Sequence, residues 1–168
     1  AKASVSAKSD VQQFGATSDE KGAYSVELFP DVYELRVYAK DLANIRRTDI
    51  IVEEGKTISD VDFKLPVGGS ITGKVIKEDG TPAGNLSISV KGPSIGGATT
   101  AADGTYTIKN LAPGSYEVTV YLPFKPQFVA PHIAIARWEE LPKIVKSNIE
   151  VQDQKVTANV DFQVPLAK

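Results

Sequence analysis

The sequence predicts an all-β chain built as two tandem antiparallel β-sandwich modules, and three observations predict it. Apolar and polar residues alternate in short runs, as half-buried strands require. Turn chemistry separates those runs, with Asp103-Gly104 and Pro113-Gly114 the clearest pairs. The pattern then occurs twice, ending in VDFKLPV at 61–67 and VDFQVPL at 160–166.

The repeat is densest at 103–122, DGTYTIKNLAPGSYEVTVYL. Tyr106 and Ile108 alternate with polar neighbours. After Pro113-Gly114, Tyr116, Val118, Val120 and Leu122 alternate with Ser115, Glu117, Thr119 and Tyr121. This reads as a β-hairpin, and GAYSVELFPDVYELRVYA at 22–39 repeats it.

In chain order, the first module covers 1–67. Ala3, Val5 and Ala7 stand where Leu86, Ile88 and Val90 stand in the second copy. A turn at Asp19–Gly22 leads into the hairpin. Ile50 and Val52 begin a further strand, Glu54-Gly55 turns it, and Val61, Phe63 and Leu65 close the module. Leu65-Pro66-Val67-Gly68-Gly69 is a linker short enough to hold the modules end to end.

The second module, 68–168, opens with GSITGKV, in which Ile71, Gly73 and Val75 alternate inward. The first copy has no counterpart of this strand. A sandwich short of one strand exposes unpaired backbone groups, each costing about 1–3 kcal/mol if it stays dry. The expectation is therefore that a strand from upstream sequence or from a neighbouring molecule fills the slot. A second irregularity is the Pro-rich loop at 122–148, which makes Tyr121 to Asn148 16 residues longer than its counterpart. It carries Phe124, Phe128, the sole His (His132) and the sole Trp (Trp138). Its prolines exclude a long helix, although His132 to Leu141 has room for a short helical turn.

Composition narrows the function classes. With 42% hydrophobic and 24% charged residues, the 168-residue chain can bury a core. A net charge of −2 argues against electrostatic nucleic-acid binding. No apolar run approaches the roughly 18 residues of a membrane span, and no secretory leader is legible at the start. The absence of Cys removes disulfides, thiolate nucleophiles and Cys-ligated zinc. The absence of Met is read as a chain beginning after processing or as a piece of something longer.

The motif series GSITGKV, DGTPAGN, DGTYTI and NLAPGSYEV resembles carboxypeptidase regulatory-like domains and their Cna B-type relatives. The first copy shares DEKGAYSV and FPDVYEL. The resemblance implies seven-stranded, transthyretin-like sandwiches that act as accessories in secreted enzymes, receptors and adhesin stalks. It specifies fold better than function, because the motif glycines and tyrosines make turns and packing.

Candidate chemistry is sparse. Some Cna B-type relatives form a Lys–Asn isopeptide bond, and Lys74 and Asn159 are the positions the resemblance offers. Position 120 is Val where the promoting acid should lie, and Glu117 alternates outward, so both read as solvated strand residues. Calcium would need far denser oxygen ligands than Asp19-Glu20 or Glu78-Asp79 supply; these read as turn formers, and no metal or cofactor is expected. His132 has no nucleophile motif or metal-ligand partner at fixed spacing, so the chain is read as non-enzymatic. The candidate interaction loop is Phe124, Phe128, His132 and Trp138, with Tyr38 and Tyr121 as candidate exposed contacts.

The functional expectation is a structural or adhesive segment of a larger extracellular or cell-surface protein, with the periplasm as a further location. It would space and dock, with other domains or neighbouring subunits as partners. The alternative is a carbohydrate-binding or substrate-positioning accessory, with polysaccharide as partner.

Overall fold

The computed structural model describes residues 2–123 and 142–166. Among them there are twelve strands and no helix: β1 (Ser4–Lys8), β2 (Gln13–Thr17), β3 (Asp31–Tyr38), β4 (Ile45–Val52), β5 (Gly69–Lys77), β6 (Ser87–Lys91), β7 (Ile95–Thr99), β8 (Thr105–Leu111), β9 (Gly114–Tyr121), β10 (Lys143–Val151), β11 (Val156–Thr157) and β12 (Phe162–Val164). They form three sheets. The order is β2-β1-β3-β4 in the first, β10-β9-β6-β7 in the second, and β8-β5 flanked by β11 and β12 in the third.

The first two sheets match position by position. Val5 faces Val37 and Ala7 faces Leu35, as Ile88 faces Val120 and Val90 faces Val118. Strands β1 and β6 share one burial pattern, alternating buried and open residues. Both sheets carry a bulge at the same place, after Arg47 in β4 and after Lys146 in β10. Asp49 and Asn148 hold the positive φ there, a conformation these two side-chain types tolerate.

The hairpin expected at 103–122 is not a hairpin. Strand β8 pairs with β5, whereas β9 pairs with β6 and β10, so the Pro113-Gly114 turn passes the chain from one sheet to the other. Gly114 has a φ of 140°, and a Cβ there would lie 2.7 Å from the Pro93 ring. The corner is tied by Tyr116, whose hydroxyl donates to the Ala112 carbonyl at 2.8 Å and accepts the Ser94 amide at 3.0 Å. Tyr33 makes the corresponding bond to the Phe29 carbonyl at 3.1 Å.

Packing differs between the halves. In the C-terminal half, β5 covers one side of a core of sixteen buried residues, including Ile71, Val75, Tyr106, Ile108, Tyr116 and Phe162. In the N-terminal half, 23–29 and 57–66 form no ladder, and the buried cluster shrinks to Ala7, Tyr33 and Leu35. These segments have the alternation of strands but no paired neighbour between them.

Side chains bind the halves together. Asn44 brackets Ile95, donating to its carbonyl and accepting its amide, both at 3.1 Å. Arg46 donates through Nε to the Gly92 carbonyl at 2.9 Å, and its amide donates to the Pro93 carbonyl at 3.3 Å. Buried Ser94 donates to the Asn44 carbonyl and accepts the Ala112 amide.

Two outcomes follow from these ties. Tyr116→Phe strands the buried Ser94 amide, so denaturant unfolding should register a loss of about 1–3 kcal/mol, with Tyr33→Phe costing less because its hydroxyl makes a single bond. Asn44→Ala removes both bonds to Ile95. It should raise the independent motion of the two halves in nuclear spin relaxation while leaving each sheet intact.

Candidate functional site

The N-terminal half holds a groove of about 920 Å³ between 22–30 on one wall and 53–62 on the other. Its geometry follows from its filled counterpart. In the C-terminal half β5 runs antiparallel to β8 and parallel to β12, between the two. The Tyr106 ring passes beneath it, and its hydroxyl donates to the Val160 carbonyl at 2.6 Å. In the N-terminal half the Tyr24 hydroxyl donates to the Val61 carbonyl, also at 2.6 Å. One bridge sets the same spacing in both places, and among the described residues only the C-terminal one holds a strand.

Burial records the difference. Tyr106, Ile108, Val160 and Phe162 are all at most 5% exposed. Their counterparts Tyr24, Val26, Val61 and Phe63 are only half-buried. The backbone groups that β5 satisfies also have counterparts. The Val160 amide donates to the Thr72 carbonyl, and the Asp161 carboxylate accepts the Lys74 amide at 2.7 Å. Val61 and Asp62 stand at these positions, and the Val61 amide has no backbone partner among the described residues.

The groove is electrostatically one-sided. Glu27, Glu53, Glu54, Asp60 and Asp62 line it against a single Lys56. Burial raises the Tyr24 phenol above its ordinary pKa, with Arg47 opposing and Asp62 adding to the shift. Burial raises Tyr106 further still, again with a carboxylate, Asp161, beside it. Both phenols are therefore neutral donors at neutral pH. On the outer side, the Arg47 guanidinium lies 5.1 Å from the Phe63 ring centre, much as the Lys146 ammonium lies 5.3 Å from that of Phe162.

The residues singled out in the sequence do not meet at this groove. Phe124, Phe128, His132 and Trp138 lie outside the described residues. Tyr38 is 43% exposed at the end of β3, and Tyr121 is half-buried with its hydroxyl accepting from Ser89 at 3.3 Å. Lys74 and Asn159 are both exposed, and no carboxylate is buried among the described residues. The acidic turns act locally. Asp19 accepts the Lys21 and Ala23 amides, and Asp79 and Asp103 are held below the usual carboxylate range by hydrogen bonds from Thr81 and Thr105. No group of residues suited to a metal ion occurs among the described residues.

Tyr24, Val61 and Asp62 were not legible as site residues on their own. The signal was indirect: each aligns with a residue that touches β5. Tyr24→Phe should free the 57–63 wall at a cost of about 0.5–1.5 kcal/mol. Denaturant unfolding of the whole chain should register that loss, and Tyr106→Phe, whose hydroxyl is buried, should cost more.

No curated protein matches the chain. Among solved structures, the TIE protein of Bacillus anthracis aligns at 13% identity and a TM-score of 0.36, over 98% of this chain and 30% of that one. The minor pilin of the gram-positive pathogen Streptococcus agalactiae aligns at 12% identity and a TM-score of 0.39, over 99% and 84%. A family model matches residues 70–165, from β5 through β12 and so over more than half of the sequence; the chain belongs to the carboxypeptidase regulatory-like domain family.

Proposed function

We propose that the chain is a non-catalytic structural segment of a larger secreted or cell-surface protein. In this reading it consists of two sandwich modules, 1–67 and 68–168, the first one strand short. The modules space and stiffen the parent, and the first docks a neighbouring polypeptide by taking its strand into the open slot. The single observation that carries the reading is the groove over the Tyr24–Val61 bridge, matched by a filled slot over Tyr106–Val160. Family membership supports the accessory role. The bonds of Asn44, Ser94 and Arg46 support stiffness, because they leave the two halves little room to hinge.

Docking by strand addition has a clear physical return. The half-exposed faces of Val26, Leu28, Val61 and Phe63 would be covered, at about 25 cal/mol per Å² of apolar surface removed from water. Backbone groups on both walls would gain partners at the same time.

The test uses the whole chain and a nine-residue peptide with the sequence of β5, GSITGKVIK. Amide exchange followed by mass spectrometry should show new protection at 23–29 and 61–65 when the peptide is added, with 105–111 unchanged. The reading fails if the peptide gives no protection. It fails equally if 23–29 exchanges as slowly as 105–111 beforehand.

A further inference from the structure

We propose that the groove selects its strand by sequence. It takes a segment with apolar residues flanking a glycine, in the pattern apolar-x-Gly-x-apolar, with basic residues on the outward positions. The segment is carried by a neighbouring polypeptide and runs antiparallel to 23–29 and parallel to 61–65. This rests on the docking reading above and adds what the docked strand must be.

The glycine requirement comes from the bridge. In the filled slot, β5 crosses directly over the Tyr106 ring and close to Val160. A Cβ at Gly73 would lie 2.1 Å from the Val160 carbonyl oxygen and 2.9 Å from the Tyr106 ring. The nearer obstacle is backbone, so no change of rotamer relieves it. Tyr24 and Val61 hold the same bridge at the same length across the open slot. Any strand seated there meets the same two groups at its central inward position, and only glycine fits.

The flanking positions follow from the pleat. Ile71 and Val75, two residues to either side of Gly73, are fully buried against the core. In the open slot the corresponding surface is Val26, Leu28, Val61 and Phe63, which accepts apolar side chains. The outward positions face solvent near Glu27, Glu53, Glu54, Asp60 and Asp62, with Lys56 the single cation of the lining. An outward lysine, as Lys74 is in β5, complements that rim. Asp62 would accept the amide that follows the glycine, as Asp161 accepts that of Lys74. Every strand among the described residues is engaged in its own ladder, so none of them supplies the occupant.

The experiment measures binding of GSITGKVIK and three variants to the whole chain by calorimetry. In the numbering of β5, the variants are Gly73→Val, Ile71→Asn and Lys74→Glu. The parent peptide should bind, and the Val variant should bind about 10–100-fold more weakly, the range expected for forcing a side chain into filled space. The Asn variant should also weaken. The Glu variant should weaken most at low salt, with the difference shrinking as salt screens the rim. Asp62→Ala in the protein should weaken the parent peptide severalfold with no change in fold by circular dichroism. Equal affinity of the Gly and Val peptides overturns the selection and leaves docking standing. No binding by any peptide overturns docking and the selection together. Uptake only when the peptide is joined ahead of Ala1 overturns the neighbouring polypeptide as its source.

Discussion

The hydroxyl bridge from a tyrosine to the backbone carbonyl opposite is the constraint on which this fold turns. Tyr106 reaches under β5 to Val160, and in doing so it ties together two strands that never pair with each other. The strand above must approach so closely that its central residue has no side chain. Glycine, tyrosine and carbonyl form one unit: the ring needs the gap that Gly73 leaves, and the gap exists because the ring fills it. Burial keeps the phenol neutral, so the bond remains that of a neutral donor well above neutral pH. The same bridge at Tyr24 ties the two walls of the groove at the spacing found around β5.

Much of this was legible in the sequence because the carrying signals are local or repeated. Alternation in SISVK and SYEVTV marks one wet and one dry face, and β6 and β9 have those faces. Asp103-Gly104 and Asp79-Gly80 mark turns through short side-chain bonds to Thr105 and Thr81. The repeat pointed to the region of the groove, since VDFKLPV and VDFQVPL align the two ends and residues 1–67 offer no counterpart of GSITGKV.

The misread hairpin has a different origin. Pro113-Gly114 specifies a turn but not which sheet the chain enters after it. That choice is made by non-local partners, β5 for β8 and β6 for β9, far apart in sequence. The deciding contact is the Tyr116 corner, where the hydroxyl meets Ala112 and Ser94 and holds the chain across the sandwich. The junction between the halves was hidden for a related reason. Asn44, Arg46 and Ser94 bond to backbone groups 46 to 51 residues away, and such bonds leave no periodic trace.

An incomplete sandwich usually creates a hazard, because unpaired edges invite indiscriminate pairing. In the proposed docking, three features would narrow what can enter. A strand seated there would meet the Tyr24 ring and the Val61 carbonyl at its central inward position, as Gly73 meets Tyr106 and Val160. The acidic rim repels strands of its own sign. The wall segments 23–29 and 57–63, with no ladder of their own, present their backbone to a strand of one polarity, set by the direction that β5 takes between β8 and β12. Exclusion and attraction would thus act at different atoms: sterics at the floor would reject the wrong sequence, and charge at the rim the wrong sign. Specificity in such a slot needs no pocket for a large side chain, since the selecting element is the absence of one.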